Sequence, residues 1–327
     1  MAFARAGTNA FQELAAKGLL REHFHSRSTF LVAMSDLEAD VLSDHAAALA
    51  EADTHGIWLD RRQIQKRLPS LSDKTVAVLE VEGEGHAVGY NVVSRLIAAG
   101  RLSVERNCHV KALEYCGQGG HVSRVHCSNG IIEASAVVVA AGGGAGELIG
   151  LPEVSSPKRG QQLVTERAPS LNATLPGSLL SCSYLLSKKH AHDLVDTRGY
   201  GVVVDPLKTG QFLIGSTRET GQVLAENDIE AVAHMAASAQ ELVPDLGRLR
   251  IIRTFAGIRT AMCDGLPMIG RMPGVENLFV AAGFEGDGIC LGPITGRIMA
   301  ALVRGEEPEI DISPFDPGRF SKERIAA

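Results

Sequence analysis

A glycine-rich junction near the carboxyl end constrains the fold of this chain more than any other stretch. An apolar run ends at Gly283, three further glycines follow by residue 292, and an amphipathic segment that Pro293 opens continues to Gly305. A buried strand, a glycine turn and a helix in this order are typical of α/β layers that bind nucleotides. We expect the backbone N–H groups of residues 286–289 to form an anion-binding nest beside the positive end of the helix dipole. A long glycine loop with only a structural role is the alternative.

Two other stretches are candidate parts of the same kind of site. In VVVAAGGGAGEL (137–148) a buried strand ends in the small residues Ala141 and Gly142, which allow backbone to approach a cofactor. In AGIRTAMCDGLPMIG (256–270) Arg259 follows a strand, where its planar guanidinium suits a bidentate clamp on a carboxylate. A tight structural turn and a structural salt bridge are the respective alternatives.

The composition excludes several classes of function. The 327 residues carry a formal net charge of −6, which gives no electrostatic basis for binding nucleic acid. No apolar run reaches the roughly 18 residues of a membrane span. The six cysteines include no C-x-x-C pair, so neither a disulfide framework nor a zinc or iron–sulfur site is predicted within the chain. We therefore predict a cytoplasmic protein with no metal site.

The order of predicted elements indicates two interleaved domains and an α/β (α+β) fold. Strands alternate with helices at both ends of the chain, and the middle part, with LLSCSYLLS (179–187) and a hairpin turn at residues 208–210, has the pattern of an antiparallel or mixed sheet. Residues 277–283 are expected to form a buried parallel strand. The predicted domains comprise residues 1–20, 85–155 and 251–320 for the α/β domain, 21–84 and 156–250 for the substrate domain, and 321–327 for a tail.

The three motifs, in this order, resemble the flavin-dependent D-amino-acid oxidase superfamily, and RGQQLVTE (159–166) is similar to that family's strand after the glycine turn. GQFLIGSTRETG (210–221) and residues 265–297 are most similar to the flavin subunits of heteromeric amino-acid dehydrogenases. That group comprises the flavin subunits of opine oxidase and of hydrogen cyanide synthase, and the β subunits of D-hydroxyproline and proline dehydrogenases. The resemblance covers nearly the whole chain and is loosest at the amino end.

This resemblance implies a glutathione-reductase-like FAD-binding domain, and FAD as the cofactor. It implies that Arg259 holds a substrate carboxylate and that Val110 offers backbone to the adenine side. Ala141 and Gly142 would pass near the dinucleotide. The residues implied to face the flavin ring are Gly283, Gly286, Asp287, Gly288 and Ile289.

The reaction implied by the resemblance is oxidation of the C–N bond of an amino acid or secondary amine, such as proline, hydroxyproline, an opine or glycine, by hydride transfer to flavin. The expected partners are the amino- or imino-acid substrate and other flavin or iron–sulfur subunits of a heteromeric dehydrogenase. Because the chain has no cluster-type cysteine spacing, any iron–sulfur centre is expected on another subunit. A truncated or non-catalytic family member that serves as a binding or scaffold subunit is the alternative function.

The chain departs from the family pattern at three places. Phe284 stands where relatives usually have histidine, and Gly286 stands where glycine oxidase has a second arginine. The family's opening strand, G-x-G-x-x-G turn and helix do not occur in the sequence, so we expect an N-terminally truncated FAD-binding domain. A late-start or truncated gene product is the favoured explanation. Supply of that part by another chain, and a fold remnant that binds a different ligand, are the other two.

Overall fold

The structure is a computed structural model that describes residues 2–117, 120–190 and 198–320, without the side chains of residues 187–190. The tail predicted at 321–327 lies outside the described residues. The chain divides into two compact units. The described residues of the first unit are 2–24, 87–117, 120–157 and 259–320, and those of the second are 25–86, 158–190 and 198–258.

The described helices and strands are numbered in chain order. The helices are α1 (Ala2–Ala16), α2 (Asp36–Glu51), α3 (Arg61–Arg67), α4 (Gly89–Gly100), α5 (Ala145–Leu148), α6 (Pro169–Asn172), α7 (Ser183–His190), α8 (Ile229–Leu242) and α9 (Gly288–Arg304). The strands are β1 (Phe24–Ser26), β2 (Thr29–Ala33), β3 (Gly56–Trp58), β4 (Ala77–Val81), β5 (Gly85–Ala87), β6 (Val110–Cys116), β7 (His121–Cys127), β8 (Gly130–Ile132), β9 (Val137–Val139), β10 (Ser155–Thr165), β11 (Ser178–Ser181), β12 (Gly199–Pro206), β13 (Phe212–Thr220), β14 (Ile251–Met262), β15 (Met268–Arg271) and β16 (Leu278–Ala282).

An eight-stranded mixed sheet organises the second unit. Its strand order is β14-β10-β13-β12-β11-β2-β4-β3, and β11 pairs with β2 in parallel while its other neighbour, β12, is antiparallel. Residues 155–157 of β10 and 259–262 of β14 belong to the first unit. Helix α8 packs its buried positions, including Met235 and Leu242, into a core with Phe30, Phe212 and Ile214. The apolar stripe of one helix and the inward residues of the strands therefore form this core together.

A buried polar cluster fixes the end of that sheet where β11 and β2 begin. Arg27 pairs with Asp205, and its guanidinium also donates to Ser178 Oγ at 3.1 Å. His86 Nδ1 lies 3.1 Å from Asp205. Burial by itself would raise the pKa of Asp205, but the hydrogen bond from His86 and the charge of Arg27 hold that pKa below its ordinary value. The cluster thus keeps a carboxylate charged inside the fold.

Two three-stranded sheets build the first unit, with orders β15-β16-β9 and β6-β7-β8. Asn277, 6% exposed, joins them: its side chain accepts the N–H of Val122 at 2.8 Å and donates to the carbonyls of Val122 and Ser135. The backbone carbonyl of Asn277 accepts the N–H of Val137 at 2.8 Å. One buried side chain therefore sets the positions of β7, β9 and β16 together.

Most local predictions from the sequence are confirmed. The sequence predicts Asn227 or Asp228 as the cap of α8, and Asp228 has this role by accepting the N–H of Ala231. Residues 277–283 contain the parallel strand β16, which pairs with β9. The hairpin between β12 and β13 turns at Gly210, whose φ is +86°. The sequence also predicts that Ser35 caps α2 in a capping box with Glu38. Ser35 accepts the N–H of Glu38, but Glu38 accepts the N–H of Met34 at 2.6 Å rather than that of Ser35, so only half of the box forms.

Two predictions about local structure are wrong. The segment LLSCSYLLS is not one strand, because β11 ends at Ser181 and helix α7 begins at Ser183. The hydroxyl of Ser181 accepts the N–H of Ser183 at this junction. Helix α9 does not begin near Pro293; it begins at Gly288, and Pro293 lies inside it. Proline in its sixth position loses only one intrahelical hydrogen bond, which a helix of 17 residues tolerates near its start.

Candidate functional site

The candidate site lies at one edge of the sheet β15-β16-β9. Because β16 and β9 are parallel, with Val280 opposite Val139, their carboxyl ends reach the same edge. A one-turn 3₁₀ helix, Gly142–Gly144, follows β9, and the loop 283–287 connects β16 to α9. Residues 142–144 are all solvent-exposed, and the loop is buried at Gly283 but exposed at Gly286 and Asp287, so a ligand has access to both segments.

Gly283, the first residue of this loop, is required by two constraints. Its φ is +80°, a region that side chains disfavour. A Cβ at this position would also lie 2.4 Å from Cγ of Met262, which is 3% exposed. Glu285, two residues on, has a φ of +46°. Gly286 has no heavy atom within 4 Å of the position of an added Cβ, so the tip of the loop is open space.

The loop ends at the amino terminus of α9. Asp287 occupies the N-cap position without a side-chain cap, and the first turn contains no acidic residue. The first N–H groups of a helix have no intrahelical partner, and they carry the positive end of its dipole. The N–H groups of Gly288 and Ile289 are therefore donors in the first turn of a helix. The sequence instead predicted them as part of a nest in the loop that precedes the helix.

Neighbouring helices support the start of α9. Ile289 is 55% exposed, and its side chain lies 3.2 Å from the position of a Cβ added to Gly89, the first residue of α4. A Cβ added to Gly7 in α1 would lie 2.5 Å from the carbonyl oxygen of Cys290. These close approaches hold the amino-terminal turn of α9 against α1 and α4.

Thr260 in β14 links the loop to the glycine turn. Its carbonyl accepts the N–H of Glu285 at 2.9 Å, and the next residue, Ala261, forms an antiparallel bridge with Phe284. Its Oγ1 lies 3.6 Å from the position of an added Cβ on Gly143 and 3.9 Å from that on Gly142. Thr260 was not predicted from the sequence, because the loop is 25 residues away along the chain and the turn more than a hundred.

The structure places the other predicted site residues as follows. Arg259 is half-buried and directly precedes Thr260, so it lies on the strand that joins the two segments. The turn after β14 is fixed by Asp264, which accepts the N–H of Leu266 and a hydrogen bond from Arg319. Val110 is the first residue of β6, on the other small sheet of the unit. The roles of all these residues toward a ligand stay predictions.

These features fit the flavin end of FAD. The exposed loop tip, the open space at Gly286 and the amino terminus of α9 can accept a planar ring that gains negative charge. The exposed glycines 142–144 allow backbone to approach a dinucleotide. The sequence contains no G-x-G-x-x-G turn, the motif that cradles the diphosphate in dinucleotide-binding folds. Among the described residues, no cluster of His, Cys, Asp or Glu could hold a metal ion, and no helix could span a membrane.

The fold and this sheet edge together define a dinucleotide-binding oxidoreductase class. The family model for FAD dependent oxidoreductases, named DAO, matches residues 1–302, and the chain belongs to this FAD-dependent family. Hydrogen cyanide synthase subunit HcnC of Pseudomonas aeruginosa is 29% identical over 275 residues, which are 82% of this chain and 61% of that protein. Glycine oxidase of Pseudomonas aeruginosa is 32% identical over 202 residues, covering 61% and 50% of the two chains.

Solved structures share the same fold. Glycine oxidase from Geobacillus kaustophilus superposes with a TM-score of 0.82 at 23% identity, over 96% of this chain and 82% of that one. L-proline dehydrogenase from P. horikoshii gives 0.80 at 18% identity, over 97% and 82%. The chain spans half to three fifths of the length of the first curated relatives it matches, between 50% and 61%. Family and fold class are thus as the sequence predicted.

Proposed function

We propose that this chain takes part in the FAD-dependent oxidation of the C–N bond of an amino acid or secondary amine. The observation that carries the proposal is the meeting of three segments at one sheet edge: the turn 142–144, the loop 283–287 and the strand with Arg259. The relatives named as glycine oxidase and as a hydrogen cyanide synthase subunit support an amino-acid substrate. Proline, hydroxyproline, opines and glycine all have the required carboxylate.

The residues of the chain are proposed to bind and orient the reactants. Arg259 pairs with the substrate carboxylate, since a guanidinium matches the two carboxylate oxygens with two donors. The N–H groups of Gly288 and Ile289, with the dipole of α9, stabilise negative charge at the edge of the ring. Ala141 and Gly142 accommodate the dinucleotide chain, and Val110 offers backbone to the adenine end. When bound, FAD supplies the two-electron acceptor for the hydride from the carbon next to nitrogen, which leaves an imino acid that water hydrolyses.

Substitution of Arg259 tests the proposal. A charge-assisted contact contributes about 1.5–3 kcal/mol to binding. Because Arg259→Ala removes this contact, it should raise KM for an amino acid by roughly 10- to 150-fold. Arg259→Lys keeps the charge but loses the planar fork, and it should retain only part of the affinity. Arg253→Ala is the matched control, because Arg253 is an exposed arginine on the same strand. Unchanged KM in Arg259→Ala, with an artificial electron acceptor present, contradicts the assignment.

A binding or scaffold subunit is the second candidate function. It predicts that an amino or imino acid raises the melting temperature without turnover. For the catalytic function we propose that electrons pass to a partner subunit, as the resemblance to heteromeric dehydrogenases suggests. Dye reduction without hydrogen peroxide formation supports that electron path, and peroxide formation at full turnover contradicts it. The cytoplasmic location also stays a proposal.

A further inference from the structure

We propose that Thr260 is the positioning residue of the site. Its carbonyl holds the loop 283–287, its side chain lies beside the turn Gly142–Gly144, and its hydroxyl donates a hydrogen bond to the polar chain of the bound dinucleotide. The inference rests on the proposed function only for this last step. The linkage of the two segments is a property of the protein chain itself.

The backbone part of the proposal follows from the strand geometry. The carbonyl of Thr260 anchors the loop to β14 by accepting the N–H of Glu285 at 2.9 Å. The adjacent bridge between Ala261 and Phe284 continues this pairing. Glu285 has a φ of +46°, which is uncommon for a residue with a side chain, so external contacts must maintain its conformation.

The side-chain part follows from the glycines of the turn. If a Cβ were added to Gly142 or to Gly143, the nearest heavy atom beyond the adjacent residues of the chain would be Oγ1 of Thr260. Gly144 has no heavy atom within 4 Å of the corresponding position. The hydroxyl therefore lies beside the start of the turn, and the space around the end of the turn is open. Thr260 is half-buried, so part of the residue is accessible to solvent.

This arrangement gives one residue control over two ligand-facing segments. β-Branched side chains have restricted χ1 rotamers, so the hydroxyl of threonine is held with little loss of entropy. If the strand shifts at Thr260, the loop and the turn are no longer held in fixed positions relative to each other. Pre-organisation of this kind lowers the cost of ordering a binding site when the ligand arrives.

Hydrogen exchange of the protein without added FAD tests the linkage. Thr260→Gly removes the contact with the turn and loosens the strand, and we expect faster amide exchange in both the 142–146 and 283–290 segments. Thr254→Gly is the matched control, because Thr254 is a half-buried threonine six residues earlier on the same strand, and it should leave both segments unchanged. Faster exchange in only one segment, or in neither, overturns the linkage.

A pair of conservative variants tests the hydroxyl. Thr260→Val keeps the branched shape and the backbone carbonyl, and we expect it to raise the FAD dissociation constant about tenfold, while Thr260→Ser stays within about twofold of the wild type. The opposite order, in which valine binds normally and serine does not, indicates a packing role and overturns the hydroxyl assignment. Equal binding by all three proteins overturns it as well.

The two experiments separate this inference from the proposed function. If the wild-type protein takes up no FAD, the proposed cofactor function and the hydroxyl step fail together. The exchange experiment then still decides whether Thr260 links the turn and the loop. If FAD binds and exchange in Thr260→Gly is normal, the cofactor function stands and the positioning role is refuted.

Discussion

Gly283→Ala is expected to destabilise the protein by about 2–5 kcal/mol, the sum of two effects. An L-residue at a φ of +80° costs about 1–2 kcal/mol relative to glycine. The new methyl group would also lie 2.4 Å from Cγ of Met262, and overpacking of this kind costs about 1–3 kcal/mol. Met262 is 3% exposed, so its side chain cannot move into solvent without further rearrangement.

Thermal unfolding followed by circular dichroism measures this effect. Gly286→Ala is the matched control in the same loop, since its added Cβ meets no heavy atom within 4 Å, and we expect a change in stability within about 0.5 kcal/mol. The double variant Gly283→Ala/Met262→Ala removes the steric clash. Its loss in free energy of unfolding should therefore be smaller than the sum of the losses in the two single variants. A Gly283→Ala protein with the melting temperature of the wild type refutes this reasoning.

Three further substitutions are expected to have measurable effects. Asn277→Ala leaves buried backbone groups without partners and should cost about 2–4 kcal/mol in urea unfolding; a loss below about 1 kcal/mol contradicts its joining role. Asp205 has a lowered pKa, so its contribution is present above the unfolded pKa of about 3.9 and is lost as the pH falls through the folded value. In Asp205→Asn the free energy of unfolding should therefore decrease less steeply below about pH 4 than in the wild type. An unchanged dependence on pH excludes Asp205 as the source of the acid sensitivity. Asp228→Ala should cost about 1 kcal/mol through loss of the α8 cap, and Asp228→Asn, which can still cap, should cost less.

Local signals in the sequence were sufficient for several elements. The capping residues Ser35 and Asp228 and the glycine of the hairpin at Gly210 act within a few residues, and the structure has each of them in its predicted role. The parallel strand β16 was predictable because it is apolar along its whole length. The family followed from motifs that are themselves short and local.

Other features depend on interactions that no local pattern contains. The change from strand to helix after Ser181 occurs within an apolar run that suits either structure. The early start of α9 was missed because Pro293 suggested a first helical position, although the glycines before it are already helical. The link through Thr260 requires β14, the turn after β9 and the loop after β16 to meet, and only the tertiary fold brings them together.

The visible absorption spectrum of the purified protein, after incubation with FAD and desalting, tests the central claim most directly. We expect a flavin absorption band to remain, in about one-to-one stoichiometry with the protein, because the loop 283–287, the start of α9 and the turn 142–144 bind the cofactor. A colourless protein under these conditions contradicts the claim that these segments form a flavin site.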